Sequence, residues 1–151
     1  MIKNLTFFLF FLTLTNCGFS PIYYGNQNTD FKIEITNLAG DRDMNNLIKS
    51  NLIRYSNEDK LDVIKVKIYS AYNKKSLAKD TTGKTTDYRI ETNFSFEAEI
   101  NGKLKNININ EAFDYRNIDD TIELIKYEDT VRQNIANTAV QKFISQVMRI
   151  E

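Results

Sequence analysis

The 151-residue chain has no histidine, no tryptophan, one cysteine, one proline and five glycines, and its 20 basic residues balance its 20 acidic ones. Each shortage closes off some chemistry. With no imidazole and only Cys17 for sulfur, a transition-metal site would have to rest on carboxylates and amides, which suit hard ions alone. Zinc, haem and iron–sulfur sites are set aside, and no metal and no cofactor is expected. A nucleophilic triad would need another base, and no Ser-Lys or carboxylate spacing supplies one, so the chain is not expected to be an enzyme. A lone cysteine cannot close an internal disulfide and gives no direct sign of an oxidising compartment. Zero formal charge removes the long-range attraction to a polyanion, so no nucleic-acid partner is expected.

What is present fits one globular domain, at 42% hydrophobic and 26% charged residues. It is preceded by a segment of different character. Residues 1–16, MIKNLTFFLFFLTLTN, carry one cation at Lys3 and then an apolar run from Leu5 to Leu14, broken by Thr6 and Thr13. The run has the length of a secretory signal core and falls short of the roughly 20 residues a spanning helix needs. Cys17 follows Leu14, Thr15 and Asn16, in the manner of a bacterial lipobox of Leu, two small residues and Cys. In that reading its thiol takes a diacylglycerol, signal cleavage makes it the mature N-terminus, and its amine takes a further chain such as palmitate. At about 0.8 kcal/mol per buried methylene, several chains make a lasting lipid attachment. Asn16 departs from the usual small residue, and an ordinary signal with an incidental cysteine, or a short retained anchor, remain the other readings. Gly18 and Phe19 stand where an Asp commonly marks inner-membrane retention, which points to the outer membrane. Residues 18–30 hold the only proline and read as a tether. The expected division is 1–16 signal peptide, 17–30 lipidated cysteine and tether, and 31–151 a single domain.

Within that domain Phe31, Ile33 and Ile35 alternate with Lys32 and Glu34 as a first strand, and Met44, Leu47, Ile48, Leu52 and Tyr55 fall at helical spacing over about 42–56. A second strand runs from Val63 to about Tyr72. A third, Tyr88 to Ile100, is the clearest alternation in the chain. It ends at Asn101-Gly102, a pair suited to a type I′ turn, and the return strand passes through Ile107, Ile109, Phe113 and Tyr115. Asp120 and Glu123 open a last helix with Val131, Ile135, Ala139, Phe143 and Val147 on one stripe. The order β-α-β-β-β-α predicts an α+β two-layer sandwich: two helices on one face of a four-stranded mixed sheet, strands one and two parallel, strands two to four an antiparallel meander.

The candidate catalytic features dissolve on inspection. Asp119 and Asp120 suit a helix cap, and TTGK at Thr81–Lys84 lacks the rest of a phosphate loop and reads as a turn. Residues 73–89, NKKSLAKDTTGKTTDYR, set Lys74, Lys75, Lys79, Lys84 and Arg89 against Asp80 and Asp87. As a long loop between strands this segment would offer mobile cations to phosphates such as those of an anionic lipid headgroup. As a plain solvated hairpin loop, its cations would only keep an edge soluble.

With these elements assembled, the chain resembles the LPS-assembly lipoprotein family (LptE). CGFSPIYYG, Cys17 to Gly25, is similar to the CGFxPLY opening of that family, with Ile22 where Leu is usual; the tyrosine-bearing strand end at Phe113 to Asn117 and the helix YEDTVRQNIANTAVQKFISQVM match by pattern. The resemblance implies a lipid-anchored outer-membrane protein of a Gram-negative bacterium. Its implied role is non-catalytic: it sits inside the large LPS-assembly β-barrel (LptD), supports that barrel's assembly, plugs it, and receives lipopolysaccharide. Barrel lumens are polar, which the Lys, Glu and Asn face of the sheet matches. Of residue roles, only lipid attachment at Cys17 carries over by motif. Lipopolysaccharide contacts at Lys74, Lys75, Lys79, Lys84 and Arg89 are an expectation from charge and position. The second reading is a structural outer-membrane lipoprotein that scaffolds another envelope complex and handles no lipid.

Overall fold

The computed structural model describes residues 29–149, so the signal segment, Cys17 and most of the expected tether lie outside the described residues. Thr29 and Asp30, at the expected tether's end, already belong to the domain: Thr29 Oγ1 donates to Tyr55 O at 2.6 Å, and Asp30 pairs with Lys60 at 2.8 Å.

The chain forms β1 (Lys32–Gly40), α1 (Arg42–Leu52), β2 (Val63–Lys79), β3 (Thr85–Ile100), β4 (Lys103–Arg116) and α2 (Thr121–Val147). The sheet order is β1-β2-β3-β4, with β1 parallel to β2 and the other neighbours antiparallel. This is the mixed sheet and two-helix α+β arrangement that the apolar periods predict. Parallel β1 and β2 need a crossover, and α1 supplies it. Among the described residues no helix is long and apolar enough to cross a membrane.

One sheet face carries the core. Ile64, Val66 and Ile68 of β2 and Phe94, Phe96 and Ala98 of β3 are buried, while intervening residues such as Lys65, Lys67 and Glu99 are exposed. The stripe expected on α2 is buried at every position from Val131 to Val147, and Phe143 stacks on Phe96 with ring centroids 4.5 Å apart. The opposite face is open and polar, with Lys67 bridged to Glu97 at 2.7 Å.

Several elements extend past the limits that periodicity predicts. β1 continues beyond Ile35 because a bulge skips Thr36 and restores pairing at Asn37 with Lys67; the extra residue breaks the alternation that a period of two would reveal. It stops at Gly40, whose φ of +92° favours glycine and where a Cβ would lie 1.9 Å from the Ser70 carbonyl oxygen. Asp41 then caps α1 by accepting from Met44 N at 2.9 Å. Asn45 fastens this junction, donating to Ala39 O at 3.0 Å and standing 2.8 Å from the buried Ser70 hydroxyl. α1 ends at Leu52 and tightens into a 3-10 turn over Ile53–Tyr55, shorter than the single helix expected to residue 56.

The larger correction concerns residues 73–89, expected as a long loop. β2 runs to Lys79 and β3 starts at Thr85, so the ladder continues almost to the tip, with Lys74 opposite Ile90 and Lys75 opposite Arg89. The alternation is lost there because both strand faces become polar, and main-chain pairing does not need an apolar face. At the other end of β3 the Asn101-Gly102 turn has positive φ at both residues, 51° and 72°, as a type I′ turn requires.

Candidate functional site

The tip of the β2–β3 hairpin is a built turn. The Asp80 carboxylate accepts from Thr82 N at 2.8 Å, Thr82 Oγ1 at 2.6 Å and Lys84 N at 3.0 Å. The Thr82 hydroxyl, followed by the neighbouring N–H groups and Lys84, holds the Asp80 carboxyl below the usual carboxylate range. Thr81–Lys84 is thus a turn, as its sequence predicts.

The five cations expected to bind lipopolysaccharide do not form one cluster. Strand alternation puts Lys75 and Arg89 together on the open face and turns Lys74 to the helix side. Arg89 grips Asp114 across the sheet in a bidentate pair, with both contacts at 2.6 Å, and Lys75 pairs with Glu91. The Arg89 hydrogen bond, and behind it the charges of Arg89 and Lys75, hold the Asp114 carboxyl below its ordinary range. Lys84 reaches Asp119 at 2.6 Å, which raises the lysine's affinity for its proton. Lys79 is exposed and makes no ion pair among the described residues.

Lys74 enters a site that residue-type patterns did not single out. Its ammonium donates to Glu128 on α2 and lies 4.2 Å from the ring centroid of Tyr88. Tyr115 Oη also donates to Glu128, at 2.5 Å, and Arg132 stands one turn further along α2 with its guanidinium 3.9 Å from the same carboxylate. Tyr88 stacks on Tyr115 with centroids 5.6 Å apart, Tyr127 leans on Tyr115 at the same distance, and Arg132 covers the Tyr72 ring at 5.0 Å. The Tyr72 hydroxyl is buried and has no hydrogen-bond partner among the described residues.

Burial pushes the Glu128 carboxyl up, but the hydrogen bonds from Lys74 and Tyr115, with the charges of Lys74 and Arg132, outweigh it and leave the group below its ordinary range. Tyr115 moves the other way, driven up by burial and then by its bond to Glu128. A carboxylate held ionised, a phenol held neutral and an ammonium lying over the Tyr88 ring make a clamp between hairpin and helix. A readable signal did exist: Glu128 stands three residues before Val131 and seven before Ile135, at an apolar-stripe position where a solvated acid does not belong. Among the described residues no group of acids, His and Cys could hold a metal ion. A shallow depression of about 460 Å³ at the opposite end of the sheet is lined by Glu34, Leu61, Val63, Lys65, Glu99 and their neighbours.

The fold is shared with solved structures of low sequence similarity. Rare lipoprotein B from Shewanella oneidensis superposes with a TM-score of 0.59 at 13% identity, covering 78% of this chain and 96% of that one. A candidate lipoprotein from Caulobacter crescentus superposes with a TM-score of 0.53, also at 13% identity, over 75% of this chain and 86% of its own. No protein-family model matches the sequence, and no curated protein is similar to it in sequence. The two-helix, four-stranded sandwich that the resemblance implies is therefore the fold that these two solved proteins have.

Proposed function

We propose that the chain is a lipoprotein of the Gram-negative outer membrane, anchored through acylated Cys17, that assembles with and plugs the large LPS-assembly β-barrel (LptD) and assists lipopolysaccharide transport to the surface. The observation that carries this reading is the shared fold with rare lipoprotein B over nearly that protein's whole length. The sequence adds a short signal, a single cysteine at its end, and the CGFSPIYYG opening. The open sheet face adds surface chemistry, since Lys67, Glu97, Asn93, Asn106, Asn108 and Asn110 suit a polar barrel lumen.

One observation favours the scaffold reading, in which no lipid is handled. Lys74, Lys75, Lys84 and Arg89 each already face a carboxylate, so a lipid phosphate would have to displace Glu128, Glu91, Asp119 or Asp114.

Affinity purification of full-length protein from envelopes in mild detergent, with mass spectrometry of partners and of the Cys17 peptide, separates the readings. Acylated Cys17 with a stoichiometric large barrel supports the transport role; acylated Cys17 without a barrel supports the scaffold; unmodified Cys17 overturns both. The lipid contacts are tested by changing Lys75, Lys79 and Lys84 together to Glu and measuring lipopolysaccharide binding at low and high salt. Lys74 stays out of this set because its loss would open the Glu128 clamp. Unchanged binding removes these three lysines from the lipid site and leaves the barrel role standing.

A further inference from the structure

The chain enters the domain at a fixed place. Thr29, 2% exposed, donates to Tyr55 O, its own carbonyl accepts from Asn57 Nδ2 at 3.4 Å, and Asn57 N donates to Phe31 O at 3.1 Å. Lys60 holds Asp30, and Lys32 N donates to Asp62 O at 2.8 Å. Residues 29–32 are thus laced to the connection 57–62, and whatever precedes Thr29 starts beside that connection.

The same connection carries the most exposed large apolar side chain among the described residues. Leu61 is 97% exposed, although Lys60 and Asp62 on either side of it are pinned to the entering segment. A single exposed leucine is ordinary. This one is not alone: Val63, 42% exposed, lies two residues on, and both line the depression of about 460 Å³ at this end of the sheet, a volume typical of small-ligand pockets. The ladder sets Lys65 between Glu34 of β1 and Glu99 of β3 in the same lining. The depression is therefore apolar on one side and charged on the other.

Such a lining suits an occupant with an apolar body and a polar tip. Residues 17–28, CGFSPIYYGNQN, hold that chemistry at Ile22, Tyr23 and Tyr24, because a tyrosine presents its ring to hydrocarbon and its hydroxyl to a carboxylate or an ammonium. Tyr24 is five residues from Thr29 and Ile22 seven, spans of at most about 17 and 24 Å. Thr29 is itself three residues from Lys32, which pairs with Val63 of the lining. The reach is sufficient.

We propose that Ile22, Tyr23 and Tyr24 fold back onto this depression, with aromatic ring against Leu61 and Val63 and hydroxyl toward Lys65 and its flanking carboxylates. The segment before Thr29 is then a strap that orients the domain. With Cys17 acylated, as proposed above, five residues separate the lipid from the docked Ile22, a reach of about 18 Å, against about 41 Å for the twelve residues to Thr29. This holds the depression end of the sheet toward the bilayer and the β2–β3 hairpin away from it. That consequence rests on the acylation; the contact within the chain does not.

The test uses full-length protein from envelopes in mild detergent. A photo-activated benzophenone side chain placed at Tyr23 or Tyr24 is expected to cross-link, within a single chain, to residues 61–65 or 99–102. Chymotrypsin cleavage after Tyr23 and Tyr24 is expected to be slow in the wild type and about tenfold faster in Leu61→Asp, while Leu77→Asp, at an exposed leucine of the opposite end, leaves the rate unchanged. Leu61 is almost wholly exposed, and circular dichroism checks that both variants fold. Cross-links scattered over the domain, cross-links to a second chain or to a different protein, or equal cleavage of the wild type and Leu61→Asp would each overturn the proposal. An unmodified Cys17 would remove the anchor and leave this contact standing.

Discussion

The two ends of the sheet are fastened to the helices by different forces. Around Phe96, Phe143, Val66, Ile48 and Met44 the contact is hydrocarbon, buried to within about 1% of full exclusion. Around Tyr72, Lys74, Tyr88 and Tyr115 it is a mixed aromatic and ionic clamp organised by one carboxylate, Glu128. Burial of hydrocarbon is non-directional and insensitive to protonation near neutrality, whereas the clamp requires an ionised Glu128 and a fixed approach of Lys74. The difference suggests that the hairpin end opens separately from, and before, the rest of the domain.

The strongest test of that contrast is Phe96→Ala. Loss of a fully buried ring stacked on Phe143 is expected to cost about 4 kcal/mol of global stability in urea unfolding. A loss below about 1 kcal/mol would mean that the ring is not a keystone of the core.

Next in size is Glu128→Ala, which leaves Lys74 and the buried Tyr115 without their acceptor. The expected cost is about 2 kcal/mol, with amide exchange rising first in residues 72–79 and 85–90. Exchange rising uniformly through the sheet would show that the two ends unfold as one unit. The same clamp predicts a sign for pH. Because Glu128 binds its proton less readily when folded, its contribution is complete above the ordinary carboxyl value of 4.5 and is lost as pH falls through the lower folded value. Protection at the hairpin end should therefore fall on acidification below that value while protection around Phe96 persists, and the acid effect should vanish in Glu128→Ala.

The smallest effect is expected on the open face, where Lys67→Ala breaks the bridge to Glu97. Lys67 is 59% exposed, so solvent screening should hold the loss to about 0.5 kcal/mol. A larger cost in the membrane than in detergent would indicate that a partner covers this face.

Particular residues show why much of this fold was legible. The alternation at Tyr88–Ile100 exists because one side of β3 is covered and the other is wet, and Asn101-Gly102 marks its end by chemistry that few other pairs share. The helix stripe Val131–Val147 follows from the same one-sided burial. Legibility failed where that asymmetry fails: at the bulge of Thr36, and along 73–79 and 85–87, where polar side chains line both faces. The partners of the expected cations were illegible for a related reason. Charge and spacing identify Lys74, Lys75, Lys84 and Arg89, but the carboxylates they meet come from Glu91, Asp114, Asp119 and Glu128, as far as 54 positions away in the chain.

The sequence by itself determined the number, order and kind of elements and the turn between β3 and β4, because each is written in residues close together along the chain. Tertiary structure alone decided which cations are neutralised, that Glu128 is buried and ionised, and that only Gly fits beside Ser70 at position 40. Those outcomes depend on groups brought together by folding, and a solvation cost or a steric overlap arises only once they meet.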